Sequence, residues 1–214
     1  GQSLPQGIHD YPVDEAAQES YAANLGAPLF GRFFRSLPAL WPDQETSREY
    51  GQEFQDFRRS AKWKAGMRCT DCHDPHAATA GQLRTELRVS DASGRAVTIP
   101  VTVADNTLCL ACHAGRDDFQ ALRPEDLLEP EANRAAIADA VSQHTHHPYE
   151  PEGYPGLSRC TECHMAKVAV NAVPYDTPSH TFRVIPPEET LARREQGGMP
   201  SSRAVRCHRN YAPV

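Results

Sequence analysis

The sequence predicts a mainly α-helical and irregular fold with one small β-hairpin inserted near residues 83–103. Three observations support this prediction. A short cysteine motif occurs in three places along the 214 residues. Apolar residues recur at helical spacing in two segments, and a third segment alternates apolar and polar residues as a pair of strands does. The chain is only 39% hydrophobic and contains 18 prolines, so we expect its side chains alone to make a poor core.

The three cysteine motifs share the form C-x-x-C-H, which is the attachment sequence for a c-type haem. Two thiols three residues apart lie about one helical turn apart, which suits the two vinyl groups on one porphyrin edge. The following His can then bind the iron as its proximal ligand. The motif residues are Cys69, Cys72 and His73; Cys109, Cys112 and His113; and Cys160, Cys163 and His164. The sequence therefore predicts a fold organised around three covalently bound haems c, and a chain that is largely unfolded without them.

Structural zinc is the alternative interpretation of paired cysteines. Zinc sites need four ligands and usually two cysteine pairs, and they do not require a His directly after every second Cys. Three pairs, each followed by His, favour haem over zinc.

Two segments precede the first motif. Residues 1–42 are rich in proline and aromatic residues and are predicted to pack in the core or to wrap over a haem or a neighbouring subunit, with a short helix over Asp14–Asn24. Residues 43–65 are predicted to form one helix that Asp43 caps and Gly66 ends. Its apolar stripe consists of Tyr50, Phe54, Phe57 and Ala61.

The remaining elements lie between and after the motifs. Alternation at 83–89 and 97–103, around a turn at 92–95, predicts the hairpin. Residues 131–145 are predicted to form a helix with Ile137 and Val141 on one face, and residues 187–196 a last short helix. Residues 168–187 are predicted to be extended. With no boundary visible after residue 42, residues 43–214 are expected to form one multihaem domain.

Histidines outnumber the predicted irons, which indicates a second axial ligand for each iron. The candidates for this distal position are His76, His144, His147 and His180, out of ten histidines in the chain. His76 is too close to His73 to reach the other face of the same haem, so it is expected to bind a neighbouring haem. His144 and His147 are expected to face one way on a helix-like turn. Met199 is a weaker candidate, and His9 is either a surface residue or a ligand to a neighbouring subunit.

A fourth attachment site is incomplete. Cys207 and His208 end a motif in which Ala204 stands where the first Cys belongs. The pair either attaches a fourth haem through one thioether, with His208 as its proximal ligand, or leaves a free thiol. The sequence leaves both alternatives open.

Charge and hydropathy limit the partners and the location. The net charge is -6, and haem propionates would make it more negative, so nucleic acid is not an expected partner. No stretch is long and apolar enough to span a membrane. Because covalent haem attachment occurs outside the cytoplasmic membrane, we expect a mature exported protein, periplasmic or extracellular, whose leader has been removed.

Several short stretches resemble the C-terminal part of the multihaem cytochromes c related to pentahaem and octahaem nitrite reductases and hydroxylamine oxidoreductases. They are Cys72-His73-Asp74-Pro75-His76, His144-Thr145-His146-His147, Cys163-His164-Met165 and Ser179-His180-Thr181-Phe182. The resemblance covers about residues 54–208 and implies distal roles for His76, His180 and one residue of the 144–147 run. This chain lacks the C-x-x-C-Lys motif of the nitrite reductases, and it has Lys62 and Trp63 where the family often carries a ligand His.

Three functions are compatible with the sequence. The first is an electron carrier, not an enzyme, in which all haems have two histidine ligands and exchange electrons with redox protein partners. The second is a subunit of a cytochrome filament, a homo-polymer in which His9 or His208 is exchanged between identical subunits. The third is a reductase of a small nitrogen or sulfur oxyanion, which needs one haem with an open position.

Overall fold

The helices of the computed structural model are short, and three of them carry the cysteine motifs. The structure describes residues 40–48, 52–91, 93–152, 158–169 and 177–201. The α-helices are α1 (Gln52–Arg59), α2 (Ala61–Lys64), α3 (Cys69–Cys72), α4 (Thr107–His113), α5 (Arg134–Thr145), α6 (Cys160–His164) and α7 (Pro187–Ala192). Turns of 3₁₀ helix lie at Ala80–Gln82, Asp117–Phe119, Pro124–Leu127 and Arg194–Gln196. The predicted helix at 14–24 and the sites at His9, Cys207 and His208 lie outside the described residues.

The single helix predicted over residues 43–65 is wrong at its start. Asp43 caps a turn instead, because its carboxylate accepts hydrogen bonds from the backbone N–H groups of Glu45 (3.1 Å) and Thr46 (3.0 Å). The helix α1 begins only at Gln52. An aspartate is favoured in both positions, since its side chain satisfies free N–H groups at turns as well as at helix starts.

The same prediction is wrong at Ser60, where the helix breaks. Ser60 has an extended backbone, and its hydroxyl accepts a hydrogen bond from the Trp63 N–H at 3.2 Å, which starts the separate helix α2. Gly66 then ends the segment with a φ of +92°, a conformation that glycine adopts without steric cost. The break gives α2, and with it Lys62, a direction that one continuous helix would not allow.

The β-hairpin lies inside the segment for which the alternation predicts it. Strand β1 (Glu86–Ser90) pairs antiparallel with β2 (Ala96–Pro100), and the register places Val89 opposite Val97. Along β2, Val97 and Ile99 are buried while their neighbours are exposed. One face of the hairpin therefore contributes to a core.

The larger hydrophobic core joins this hairpin to α4 and α5. It includes Leu110 and Ala111, the two residues between the cysteines of the second motif, so that motif is built into the core. Ile137 and Val141 pack into it from α5, as the helical spacing predicts. The composition therefore underestimates how much of the core consists of side chains. Its buried members are Val97, Ile99, Val101, Leu108, Leu110, Ala111, Ala114, Phe119, Leu122, Leu127, Ile137, Ala140 and Val141.

A second, smaller core packs around Trp41. The indole ring is buried with Ala166, Val168, Ile185 and Met199, and its Nε1–H donates a hydrogen bond to the Val168 carbonyl at 3.0 Å. Met199 is fully buried in this core and packs with Trp41 and Ile185. Its suggested role as an iron ligand stays a prediction.

The chain after the third motif is extended in its described parts. Strand β3 (Lys167–Ala169) pairs antiparallel with β4 (Thr177–Pro178). Helix α7 and a 3₁₀ turn follow, and Gly197 ends them with a φ of +100°. None of the helices in the described part of the chain has the length and apolar character that crossing a membrane requires.

Candidate functional site

The three cysteine motifs line one cavity of about 2630 Å³. All six of their cysteines are free thiols, and all three of their histidines lie on the same walls. A pocket for one drug-sized ligand has a volume of roughly 300–1,000 Å³, so this cavity has room for several such ligands. His144, His147 and His180 complete the set of histidines that line it.

Short helices present the two thiols of each motif on one side. Helix α3 spans the whole first pair, α4 contains the second pair, and α6 begins at the first Cys of the third pair. Residues three apart in a helix face the same direction. The helical turn expected from the C-x-x-C spacing is therefore present at each motif.

The second and third motifs are held against each other by Asn106. Its side-chain amide donates a hydrogen bond to the Ser158 carbonyl (2.7 Å) and accepts one from the Cys160 N–H (2.9 Å). Asn106 has a φ of +71°, a conformation that Asn tolerates better than most residues. Cys109 and Cys160, the first thiols of the two motifs, form a hydrogen bond that raises the pKa of Cys160, together with its burial.

The first motif lies close to the second. Burial raises the pKa of Cys72 to about 11, and the nearby thiols of Cys109 and Cys112 add to this shift. All three motifs therefore meet in one place, although about forty to fifty residues separate them along the chain.

His180 lies opposite the histidine of the first motif. The ring centres of His73 and His180 are 6.4 Å apart, and their planes are inclined by 32°. Two imidazoles on opposite sides of one metal ion have ring centres about 6 Å apart, since each metal–nitrogen bond is about 2 Å. The Nδ1–H of His73 donates to the Gly81 carbonyl (2.8 Å) and that of His180 to the Pro178 carbonyl (3.1 Å).

His144 lies at a similar distance from the histidine of the third motif. The ring centres of His144 and His164 are 6.0 Å apart, and their planes are inclined by only 13°. The Nδ1–H of His164 donates to the Phe182 carbonyl (3.1 Å), and that of His144 to the Asp118 carboxylate (2.7 Å). An Nδ1–H that is fixed in this way leaves the lone pair on Nε2, which is the usual arrangement of a metal-binding His.

The histidine of the second motif faces an amine instead. His113 Nε2 lies 3.1 Å from Lys62 Nζ on α2. Burial lowers the pKa of His113, and the charge of Lys62 lowers it further. Burial also lowers the pKa values of His164 and His180. These three imidazoles are therefore neutral near pH 7, and only a neutral imidazole binds iron.

An unpaired guanidinium nitrogen provides a test of whether haem fits this cavity. Arg159 lines the cavity directly before Cys160, and its Nε is buried without a hydrogen-bond acceptor among the described residues. Leaving a buried charged donor unpaired is costly. A carboxylate of a bound cofactor would satisfy it, and haem c carries two propionates. The thiol pairs, the neutral imidazoles and this donor all fit haem.

The remaining predicted ligands are placed differently. His147 lines the cavity, but α5 ends at Thr145 and His146 has a φ of +58°, so the helical relation predicted between His144 and His147 is wrong. His76 is exposed, its N–H donates to Asp74 Oδ1 (3.0 Å), and it is not part of the cavity wall. Its role as a ligand to a neighbouring haem stays a prediction.

Sequence patterns did not identify several residues that position the site. Lys62, Asp118 and Arg159 carry no motif, and the carbonyls of Gly81, Pro178 and Phe182 carry no sequence signal at all. The one available signal is that Lys62 and Trp63 stand where the resemblance leads us to expect a ligand His.

Among the described residues, no group of three or more Cys, His, Asp or Glu side chains is placed to hold a metal ion by itself. The choice of haem over zinc stays a prediction from the sequence. Comparison of the chain with protein-family models, with curated proteins and with solved structures gives no match, so the site is interpreted from its own residues.

Proposed function

We propose that this chain is an exported multihaem c-type cytochrome that carries electrons between three closely spaced haems. One observation carries the proposal: three C-x-x-C-H motifs line a common cavity, and two of their histidines each have a second imidazole nearby. The ring centres are 6.4 Å apart for His73 and His180 and 6.0 Å apart for His164 and His144. Each haem iron, when bound, supplies a one-electron ferric–ferrous couple. The location outside the cytoplasmic membrane is part of this proposal, because covalent haem attachment occurs there.

The protein's part is to hold both axial positions of an iron. His73 and His180 would bind one iron, and His144 and His164 another. Hydrogen bonds at Nδ1 orient each of these rings before any metal binds, and for His144 the acceptor is the Asp118 carboxylate. An iron with two protein ligands has no open position for a substrate, which favours electron transfer over catalysis.

The contact between motifs supports exchange of electrons between haems. Each haem would be joined to the chain at its own cysteines, and Cys109 and Cys160 share a hydrogen bond. Asn106, which precedes the second motif, fixes this contact through its side-chain bonds to the backbone of Ser158 and Cys160. The attachment edges of the second and third haems would therefore lie side by side.

Haem quantitation together with ligand variants tests the proposal. The protein isolated from a host that attaches haem should give three haems per chain by pyridine haemochrome and intact mass, or four if Cys207 also attaches one. H180A and H144A should each convert about one-third of the haem to a form that binds carbon monoxide when reduced, because each opens one iron. H146A, which changes an exposed neighbour of His144, should change nothing. A colourless protein, or one that holds zinc, would overturn the proposal.

A reductase of small oxyanions is the second candidate, and one observation favours it. Among the described residues, His113 faces no second imidazole and instead faces Lys62. An iron bound by His113 alone would have an open position, as catalytic haems do. Nitrite or cyanide added to the untreated protein would then change its spectrum. The filament subunit remains a prediction, because His9, Cys207 and His208 lie outside the described residues.

A further inference from the structure

Lys62 is the residue that faces the metal-binding nitrogen of the second motif. Its Nζ lies 3.1 Å from His113 Nε2. In the other two motifs the corresponding place is occupied by an imidazole, from His180 or from His144. An amine nitrogen and an imidazole nitrogen are both electron-pair donors, so the position suits a ligand in all three cases.

The surrounding structure holds Lys62 in this position. Helix α2 is fixed on one side by Ser60, whose hydroxyl accepts a hydrogen bond from the Trp63 N–H, and on the other by the Trp63 ring, which packs edge-on against Phe54 and Phe57 at 6.2 and 5.6 Å. The Lys62 amine lies 5.1 Å from the centre of the Phe182 ring. The side chain is therefore directed into the cavity and not along the surface.

Lys62 lacks the partner that usually explains a lysine directed inward. No described carboxylate forms an ion pair with its amine. Its charge acts on the motif residues instead: it lowers the pKa of His113, and it opposes the increase in the pKa of Cys112 that burial causes. Among the described residues, the hydrogen-bond partner of the amine is His113 Nε2, the nitrogen that would bind iron, so a bound iron would lie next to both groups.

We propose that Lys62 is the second axial ligand of the haem iron bound by His113, which gives this haem histidine–lysine ligation while the other two have two histidines. This inference rests on the proposed function. The amine binds iron as a neutral base, so it gives one proton to solvent when the bond forms. Nitrogens on opposite sides of one iron lie about 4 Å apart, twice a metal–nitrogen bond of about 2 Å. The flexible Lys62 side chain needs to withdraw by about 1 Å for this.

The chain offers matched variants that separate this role from a structural one. K62A removes the amine, K62H replaces it by an imidazole, and K64A removes an exposed lysine two residues further along α2. H147A removes the other described histidine of the cavity that has no assigned partner. Each protein is isolated with its haems, its haem content is measured, and near-infrared magnetic circular dichroism then reports the axial ligands of the ferric irons. Carbon monoxide uptake by the reduced protein reports open positions.

The wild type should show a histidine–lysine band alongside the bis-histidine band and should bind almost no carbon monoxide. K62A should lose the first band and bind carbon monoxide at about one-third of its haem, while K62H should show the bis-histidine band alone. K64A should match the wild type, and H147A should keep the histidine–lysine band. Should K62A fail to accumulate, the wild-type spectrum and K62H still decide the question.

Three results would overturn the inference while leaving the proposed function intact. One is a wild-type protein with three haems and only bis-histidine ligation. Another is a wild-type protein in which one haem already binds carbon monoxide and K62A changes nothing. The third is a closed wild-type protein in which H147A, and not K62A, opens one haem to carbon monoxide. Absence of haem from the wild-type protein would instead overturn the proposed function itself.

Discussion

At the scale of single residues, the site depends on hydrogen bonds that fix which ring nitrogen carries the proton. His73, His164 and His180 donate to backbone carbonyls, and His144 donates to a carboxylate. Phe182 provides one of these carbonyls from a backbone with a φ of +55°, a conformation that is rare for a bulky residue. Such strain is retained where the surrounding structure requires the geometry.

Asp56 links helix α1 to the segment that carries His180. Its fully buried carboxylate accepts hydrogen bonds from the Ser47 N–H (2.9 Å) and from the Ser179 hydroxyl (2.8 Å), next to His180. Burial raises the pKa of Asp56 despite these bonds. The folded state therefore holds the proton more tightly than the unfolded chain does.

The raised pKa of Asp56 predicts a stability that falls with rising pH. Below the unfolded pKa of 3.8, Asp56 is protonated in both states and does not make the free energy of unfolding depend on pH. Above that pH the unfolded chain releases the proton first, so the free energy of unfolding decreases. The decrease ends when the folded carboxyl also ionises. D56N keeps an acceptor for Ser47 without a charge. In denaturant unfolding between pH 4 and pH 8, the free energy of unfolding of D56N should increase relative to that of the wild type as pH rises.

D56A provides the control for the hydrogen bonds of Asp56. It leaves the Ser47 N–H and the Ser179 hydroxyl without their acceptor and should cost about 1–3 kcal/mol of unfolding free energy. This loss should also move His180 and so be visible in the axial-ligand spectrum. If the free energy of unfolding of the wild type instead increased relative to that of D56N with rising pH, the assigned direction of the pKa shift would be contradicted.

At the scale of elements, the sequence predicted those whose pattern is local. Each C-x-x-C turn, the alternating hairpin and the stripe of Ile137 and Val141 depend on near neighbours in the chain, and the structure contains all of them. It did not predict the break at Ser60, because a serine is compatible with a helix interior as well as with a cap. It did not pair Lys62 with His113, because 51 residues separate them.

The second motif differs from the third in how its helix is packed. Leu110, the first residue after Cys109, is buried in the larger core, whereas Thr161, the first residue after Cys160, is only half-buried. L110A should therefore cost about 2–5 kcal/mol of unfolding free energy, the usual range for a buried Leu. T161A, at the matching position, should cost less than about 1 kcal/mol.

Denaturant unfolding of the two variants measures this difference, with intact mass confirming that each carries the same number of haems. Equal losses would mean that both motif helices depend on the haem alone and that the side-chain core adds little to α4.

At the scale of the whole molecule, the chain combines a side-chain core with a cavity that side chains do not fill. The core joins the hairpin, α4 and α5, while α6 and the segment around His180 form walls of the cavity. The proposed haems would occupy the cavity of about 2630 Å³, since protein interiors leave few voids larger than a water molecule. Composition alone could not show that the chain has a packed part and a cavity-lining part, because a percentage of hydrophobic residues averages over both.

This division predicts partial folding when haem is absent. In the reduced chain made without haem attachment, hydrogen exchange should stay slow in β2, α4 and α5, because Ile99, Leu110 and Ile137 bury one another there. Exchange should become at least about tenfold faster in α6 and in residues 177–184, which would lose the haem that the proposal places between them. The measurement is hydrogen exchange with mass spectrometry on the haem-free and haem-loaded proteins. Fast exchange throughout the haem-free protein would support the expectation from composition that haem alone makes the core. Equal protection of the two forms would mean that the cavity keeps its structure without a bound group.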